Sequence, residues 1–159
     1  MKIADILKLT ASIILCQLAG LIGSLATLPS IPTWYESLKK PFFNPPNWLF
    51  GPVWTGLYIL MGISLFLVWQ RREGNAQFRM ALTFFFVQLI LNILWSLAFF
   101  GLQSPLLGLV DIVLLWIAIF LTIQRFYGIS RTAAILLLPY VLWVSFAAVL
   151  NFSLWILNV

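Results

Sequence analysis

Residues 106–126 read LLGLVDIVLLWIAIFLTIQRF, twenty-one positions at which Asp111 and Arg125 alone are charged. A helix needs about 20 apolar residues to cross the hydrocarbon core of a bilayer, so this stretch is read as a membrane span. Working outward from it, four more apolar runs cover 9–28, 47–70, 80–100 and 132–156. A chain that is 63% hydrophobic and 8% charged has little material for a solvated surface. Barrel strands would read as alternating segments of about ten residues. These runs are continuous and twice as long, so the predicted fold class is all-α: a five-transmembrane-helix bundle in a single integral membrane domain over 1–159.

The first run follows Lys2 and Lys8, as a signal peptide would, but Ala26-Thr27-Leu28 is a loose match to a cleavage site and the run is span-length. It is read as a retained span. Cys16 lies inside it and fits a small packing residue. The net charge of +5 does not form a basic stripe, and the chain carries no nucleic-acid recognition element. Alternate helix ends collect Lys2, Lys8, Arg71, Arg72, Arg79, Arg125 and Arg131 on one side, against Lys39 and Lys40 on the other. The positive-inside bias then predicts a cytoplasmic N-terminus for a plasma-membrane protein.

The longest link, 29–46, is rich in proline: Pro29, Pro32, Pro41, Pro45 and Pro46. Pro29 and Pro32 are read as the exit from the first span, with a short helical piece over 33–39 ended by Pro41. Trp34, Tyr35 and Trp48 suit an interfacial aromatic belt.

Polar residues within spans are informative because lipid cannot satisfy them. Gln88, Asn92, Trp95 and Phe99 share one face of the third span, and Trp54 with Tyr58 one face of the second. Trp143, Ala147 and Asn151 recur every four residues in the fifth, while Asp111 is the acid set deep in the fourth. Two readings stand side by side. In one, the amides and Asp111 are interhelical glue, each worth about 1 kcal/mol. In the other, these faces converge on an indole-lined pocket with a few oriented polar groups. Gly56, Gly62, Ala118, Ala147 and Ala148 are read as sites of close helix approach.

The motifs Trp34-Tyr35, Leu38-Lys39-Lys40-Pro41, Asn44-Pro45-Pro46 with Trp48, and Pro52-Val53-Trp54-Thr55 with Leu57-Tyr58 resemble the TspO/MBR family of translocator proteins. The resemblance continues through Gln88 to Asn92, Trp95-Ser96, Phe99-Phe100, the Asp111 neighbourhood, Pro139-Tyr140, Trp143, Phe146-Ala147 and Leu150-Asn151. It spares only the first span. It implies a five-helix bundle, commonly a homodimer, with a cavity open toward the long first link. Implied ligands are flat and apolar: porphyrins such as protoporphyrin IX, sterols in eukaryotic members, and synthetic benzodiazepine or isoquinoline compounds. Carried onto this chain, the ligand-binding residues are Trp54, Tyr58, Asn92, Trp95, Asp111, Trp143, Ala147 and Leu150. The lid is 29–46 with Trp34, Pro41, Asn44, Pro45 and Pro46. The family's sterol motif is incomplete here: Phe152 stands at its Tyr position and no basic residue follows, which leaves sterol binding unsupported.

The function this implies is tetrapyrrole binding for sequestration, transfer or stress-linked regulation in a bacterial membrane. The alternatives are light-dependent porphyrin degradation involving Trp54 and Trp143, and transport of tetrapyrroles or sterols. The chain has no histidine, no metal-ligand cluster, no nucleophile–base pair and no nucleotide loop, so neither a conventional enzyme nor a required cofactor is expected.

Overall fold

The computed structural model describes residues 3–71 and 76–159. Of the charges used above to orient the chain, Lys2 and Arg72 lie outside the described residues. Five spans are long and apolar enough to cross a membrane, at Ile3–Tyr35, Asn47–Gln70, Ala76–Gly101, Pro105–Ile129 and Arg131–Leu157. The helices within them are α1 (Ile3–Ser30), α2 (Phe50–Gln70), α3 (Ala76–Ser96), α4 (Pro105–Ile129), α5 (Arg131–Leu136) and α6 (Leu138–Leu157). They close into a ring: α1 packs on α2 and α3, α3 on α4, α4 on α5 and α6, and α5 on α2.

Three departures from the sequence reading follow from backbone chemistry. The first span does not end at residue 28, and the link is not a loop from residue 29. Pro29 lies within α1, and a wide π-helical turn, Ile31–Tyr35, carries the helix on through Pro32. A proline leaves the carbonyl four residues back without its usual donor, here those of Leu25 and Leu28. Side chains hold the turn: the Thr33 hydroxyl donates to the Pro29 carbonyl at 2.9 Å, and Ser30 Oγ donates to the Phe100 carbonyl of the third span at 2.8 Å. Trp34 and Tyr35 therefore sit on helix, and irregular chain begins only after residue 37.

The fifth span is two helices rather than one. Pro139 has no N–H to give to the turn before it, and the chain breaks at Leu137, whose N–H bonds the Ala134 carbonyl in a tighter turn at 3.1 Å. This kink lets α5 hold α2, where Ser64 Oγ donates to the Ala133 carbonyl at 2.7 Å, while α6 leans away. The third span starts at Ala76, ahead of the expected 80, and ends in a second π-helical turn, Leu97–Gly101.

Glycine placement also differs. Gly62 does meet α1: a Cβ there would lie 2.6 Å from Ile13 Cα, so only glycine lets the two backbones approach so closely. Gly56, expected to do likewise, has nothing within 4 Å of such a Cβ.

Candidate functional site

Three helices bring aromatic faces together where α6 leans from α2. On α2, Trp54 and Tyr58 are one turn apart and their rings stack at 5.7 Å. On the third span, Trp95 of α3 and Phe99 of the π-helical turn that follows stack at 5.5 Å with 18° between planes. Trp54 and Trp95 face each other at 6.2 Å and 32°. From α6, Trp143 tilts against Phe146 at 5.5 Å. Between them lies a narrow void of about 20 Å³, lined by Trp54, Trp95, Trp143, Ala147, Leu150 and Asn151, with Tyr35, Phe50, Phe99, Phe100 and Leu154 completing it.

Buried amides and phenols fasten these faces to one another. Tyr58 donates to Asn92 Oδ1. Asn92 Nδ2 donates to the Tyr140 hydroxyl at 2.8 Å, and that hydroxyl donates to Gln88 Oε1 at 2.9 Å. The chain of bonds ties α2, α3 and α6 across the middle of the bundle. Nearby, Trp95 Nε1 donates to Asn151 Oδ1 at 3.2 Å, and Asn151 Nδ2 donates to the Pro105 carbonyl at 2.7 Å. Much of the intramembrane polarity is therefore interhelical glue. Four buried polar atoms have no hydrogen-bond partner among the described residues, Ser12 Oγ, Gln88 Nε2, Asp111 Oδ2 and the indole N–H of Trp143, and of these residues Trp143 lines the void. The cost of such a group is about 1–3 kcal/mol.

The eight residues expected to line a pocket divide into three sets. Trp54, Trp95, Trp143, Ala147 and Leu150 meet at the void. Tyr58 and Asn92 belong to the hydrogen-bond network. Asp111, half-buried on α4, lines neither the void nor the larger cavity described below; its Oδ2 is buried without a partner among the described residues.

Rings of the first link, with Phe50 of α2, pack on aromatic residues at and beside the void. Trp34 meets Phe99 edge-on at 5.3 Å, Phe43 meets Phe146 at 6.3 Å, and Phe50 meets Trp143 at 6.3 Å. Asn44 organises the turn beneath: its Oδ1 accepts from the Tyr35 hydroxyl at 2.6 Å, its Nδ2 donates to the Pro45 carbonyl at 3.1 Å, and its N–H donates to the Pro41 carbonyl at 3.0 Å. Pro46 then leads into a 3₁₀ turn, Asn47–Leu49, that starts the second span. Tyr35, only 2% exposed, is a void-lining residue that the sequence reading left in the interfacial belt. Asn158 was also missed, although it holds the link to the end of α6 through Lys39. Nothing in the periodicity marks either, since both act across a contact between distant segments.

The arrangement defines a multi-pass helical membrane protein whose spans close on an aromatic interior, with a proline-rich link packed beside it. The chain belongs to the TspO/MBR family, whose model matches residues 12–156. It is 53% identical over 154 residues to the tryptophan-rich protein TspO of Archaeoglobus fulgidus, covering 97% of this chain and 99% of that one. It is 49% identical over 158 residues to the protein of the same description in Chlorobaculum tepidum, covering 97% and 98%. Protein CrtK of Rhodobacter capsulatus is 42% identical over 143 residues, covering 90% of this chain and 88% of its own.

Proposed function

We propose that the chain binds tetrapyrroles of the protoporphyrin IX class between α2, α3 and α6, beneath the first link. The observation that carries the reading is the void itself: three indoles surround it, and one of them, Trp143, has a buried N–H with no partner among the described residues. Indole faces suit a flat π-system, and an unpaired donor suits an acceptor on its edge. A void of about 20 Å³ holds no macrocycle, so binding requires the link to lift. Its roof supports that motion. Ring-edge contacts are worth about 0.5–1.5 kcal/mol apiece, and they can be remade against a ligand face.

Lys39 and Lys40 lie at the link, where they suit the propionates of a porphyrin. Sequestration or transfer of a photoreactive pigment follows from a site that closes it away from water. Light-dependent breakdown is the second reading, favoured by the Trp54–Trp95 pair beside Trp143, which gives an excited pigment oxidisable partners on two sides. The positive-inside bias of Lys8, Arg71, Arg79, Arg125 and Arg131 supports a cytoplasmic N-terminal side, with the link outside, if the chain sits in a bacterial plasma membrane.

The test is quenching of tryptophan fluorescence by protoporphyrin IX in nanodiscs. Saturable, stoichiometric binding weakened about tenfold or more by Ala147→Leu is expected. Binding that does not saturate, alike in both proteins, would remove the assignment.

A further inference from the structure

A larger cavity lies beside the aromatic interior. It is a slot of about 420 Å³ between α1 and α2, half-open on its outer side, with α3 as its floor. Trp54 and Trp95 line both spaces and form the partition between them. α1 and α2 meet at Gly62 and Ile13, at Gly20, where a Cβ would run into the Tyr58 ring, and at Gln17, whose Nε2 donates to the Thr55 carbonyl at 3.1 Å. Gln17, Gly20 and Tyr58 line the slot, which runs from there toward the first link.

Its dimensions match one leaflet. On α1 the lining runs from Gln17 to Ile31, about 21 Å at 1.5 Å per residue. Half the hydrocarbon core is about 15 Å. The slot therefore reaches from the interface, where Trp48 stands 72% exposed, to near the midplane. The lining is thus drawn out along α1, as an extended chain would require.

The walls are apolar in effect. Ser24 Oγ donates to the Leu21 carbonyl at 2.7 Å and Thr27 Oγ1 to the Gly23 carbonyl at 3.1 Å, so these hydroxyls are turned back on their own helix. Gly51 adds an independent sign. It sits in the first turn of α2, lines the slot, and a Cβ there would meet nothing within 4 Å. Close packing does not require this glycine. Its missing side chain keeps the slot open at the interfacial end.

We propose that the slot binds one extended hydrocarbon chain of an amphiphile from the leaflet on the link side, with its polar head level with Asn47 and Trp48. This site is separate from the tetrapyrrole site and does not rest on it. The chain belongs either to a free fatty acid or to a phospholipid, and burial of methylene groups against Trp54, Trp95 and Phe100 drives both.

The experiment uses the full chain in nanodiscs and a stearic acid brominated at mid-chain, which quenches tryptophan on contact. Saturable quenching is expected, weakened at least tenfold in Gly51→Leu and unchanged in Gly56→Leu, which adds the same bulk on the same helix outside the slot. Ser24→Leu fills the slot from the opposite wall and serves if Gly51→Leu fails to fold. A phospholipid carrying the same brominated chain forms a second arm, and the probe that saturates identifies the source. Quenching that rises without saturation and equally in all variants would reduce the slot to ordinary lipid contact and overturn the proposal, as would saturable quenching indifferent to both slot-filling variants. Protoporphyrin IX titration of Gly51→Leu, whose residue 51 does not line the interior void, keeps the two sites distinguishable.

Discussion

The side chain of Asn158 pairs with both main-chain polar groups of Lys39. Its Oδ1 accepts from the Lys39 N–H at 2.9 Å and its Nδ2 donates to the Lys39 carbonyl at 3.0 Å. One residue at the end of α6 thus holds the middle of the first link, 119 positions away in sequence. Ring contacts and the hydrogen bonds from Ser30 to the Phe100 carbonyl at 2.8 Å and from Asn47 to Glu36 at 3.3 Å hold the rest. Asn158→Ala removes the two bonds and with them about 1–2 kcal/mol of closure, taking about 0.5–1.5 kcal/mol per bond and allowing for solvent competition. Stopped-flow quenching by protoporphyrin IX should show association faster by several-fold, with dissociation accelerated as well. An unchanged association rate would mean that the link does not gate the site.

Asn92 is the centre of the buried network, bonded to both Tyr58 and Tyr140. Gln88 is peripheral: it accepts from Tyr140, and its Nε2 has no partner among the described residues. Asn92→Leu should therefore cost about 1–3 kcal/mol, since interhelical bonds in membranes average about 0.6 and reach about 1.7 kcal/mol each. Gln88→Met should cost distinctly less, because it also removes an unsatisfied donor. Unfolding in detergent of graded denaturing strength ranks the two. The reverse order would contradict this account of the network.

How much of this was legible in the sequence depends on the range of the interaction involved. Five spans and the faces Trp54/Tyr58 and Gln88/Asn92/Trp95/Phe99 follow from helical period and bilayer thickness, both local properties. Continuation of α1 through Pro29 and Pro32 did not, because it depends on Thr33 returning a hydroxyl to Pro29 and on Ser30 reaching Phe100. The Pro139 break was foreshadowed by the residue itself, yet its consequence, α6 leaning from α2, depends on the packing of α5. Asp111 shows another limit of local reading. The family resemblance carried it into the pocket, while its isolation in an apolar run left a role as interhelical glue open; depth in a span does not specify which way a side chain faces, and it lines neither cavity.

Gly62 and Gly56 lie six residues apart on α2 and should respond to alanine in opposite senses. At Gly62 the added methyl meets Ile13 main chain, which cannot rotate away, so α1 and α2 must separate. A cost of about 1–3 kcal/mol is expected for such overpacking. At Gly56 the methyl meets nothing within 4 Å, and removing a glycine from a helix interior is worth about 0.5–1 kcal/mol in stability. Thermal unfolding of the two variants in the same detergent decides the matter. Equal losses would mean that α1 does not contact α2 at Gly62 as described.

Trp143 allows a test in which stability and affinity move apart. In the unliganded protein its indole N–H is buried and unpaired among the described residues, while its ring packs against Phe50 and Phe146. Trp143→Phe keeps an aromatic ring there and deletes the unsatisfied donor, so unliganded stability should hold or rise by up to about 1 kcal/mol. If the donor serves a tetrapyrrole acceptor, the same change should weaken protoporphyrin IX binding by about tenfold, the equivalent of about 1.4 kcal/mol. If Trp143 also supplies electrons to the excited pigment, loss of porphyrin absorbance under illumination should slow at saturating pigment, where affinity no longer matters. A purely structural tryptophan gives the opposite pattern: the Phe variant would lose stability, and binding and light-dependent turnover at saturation would remain at the level of the unsubstituted protein.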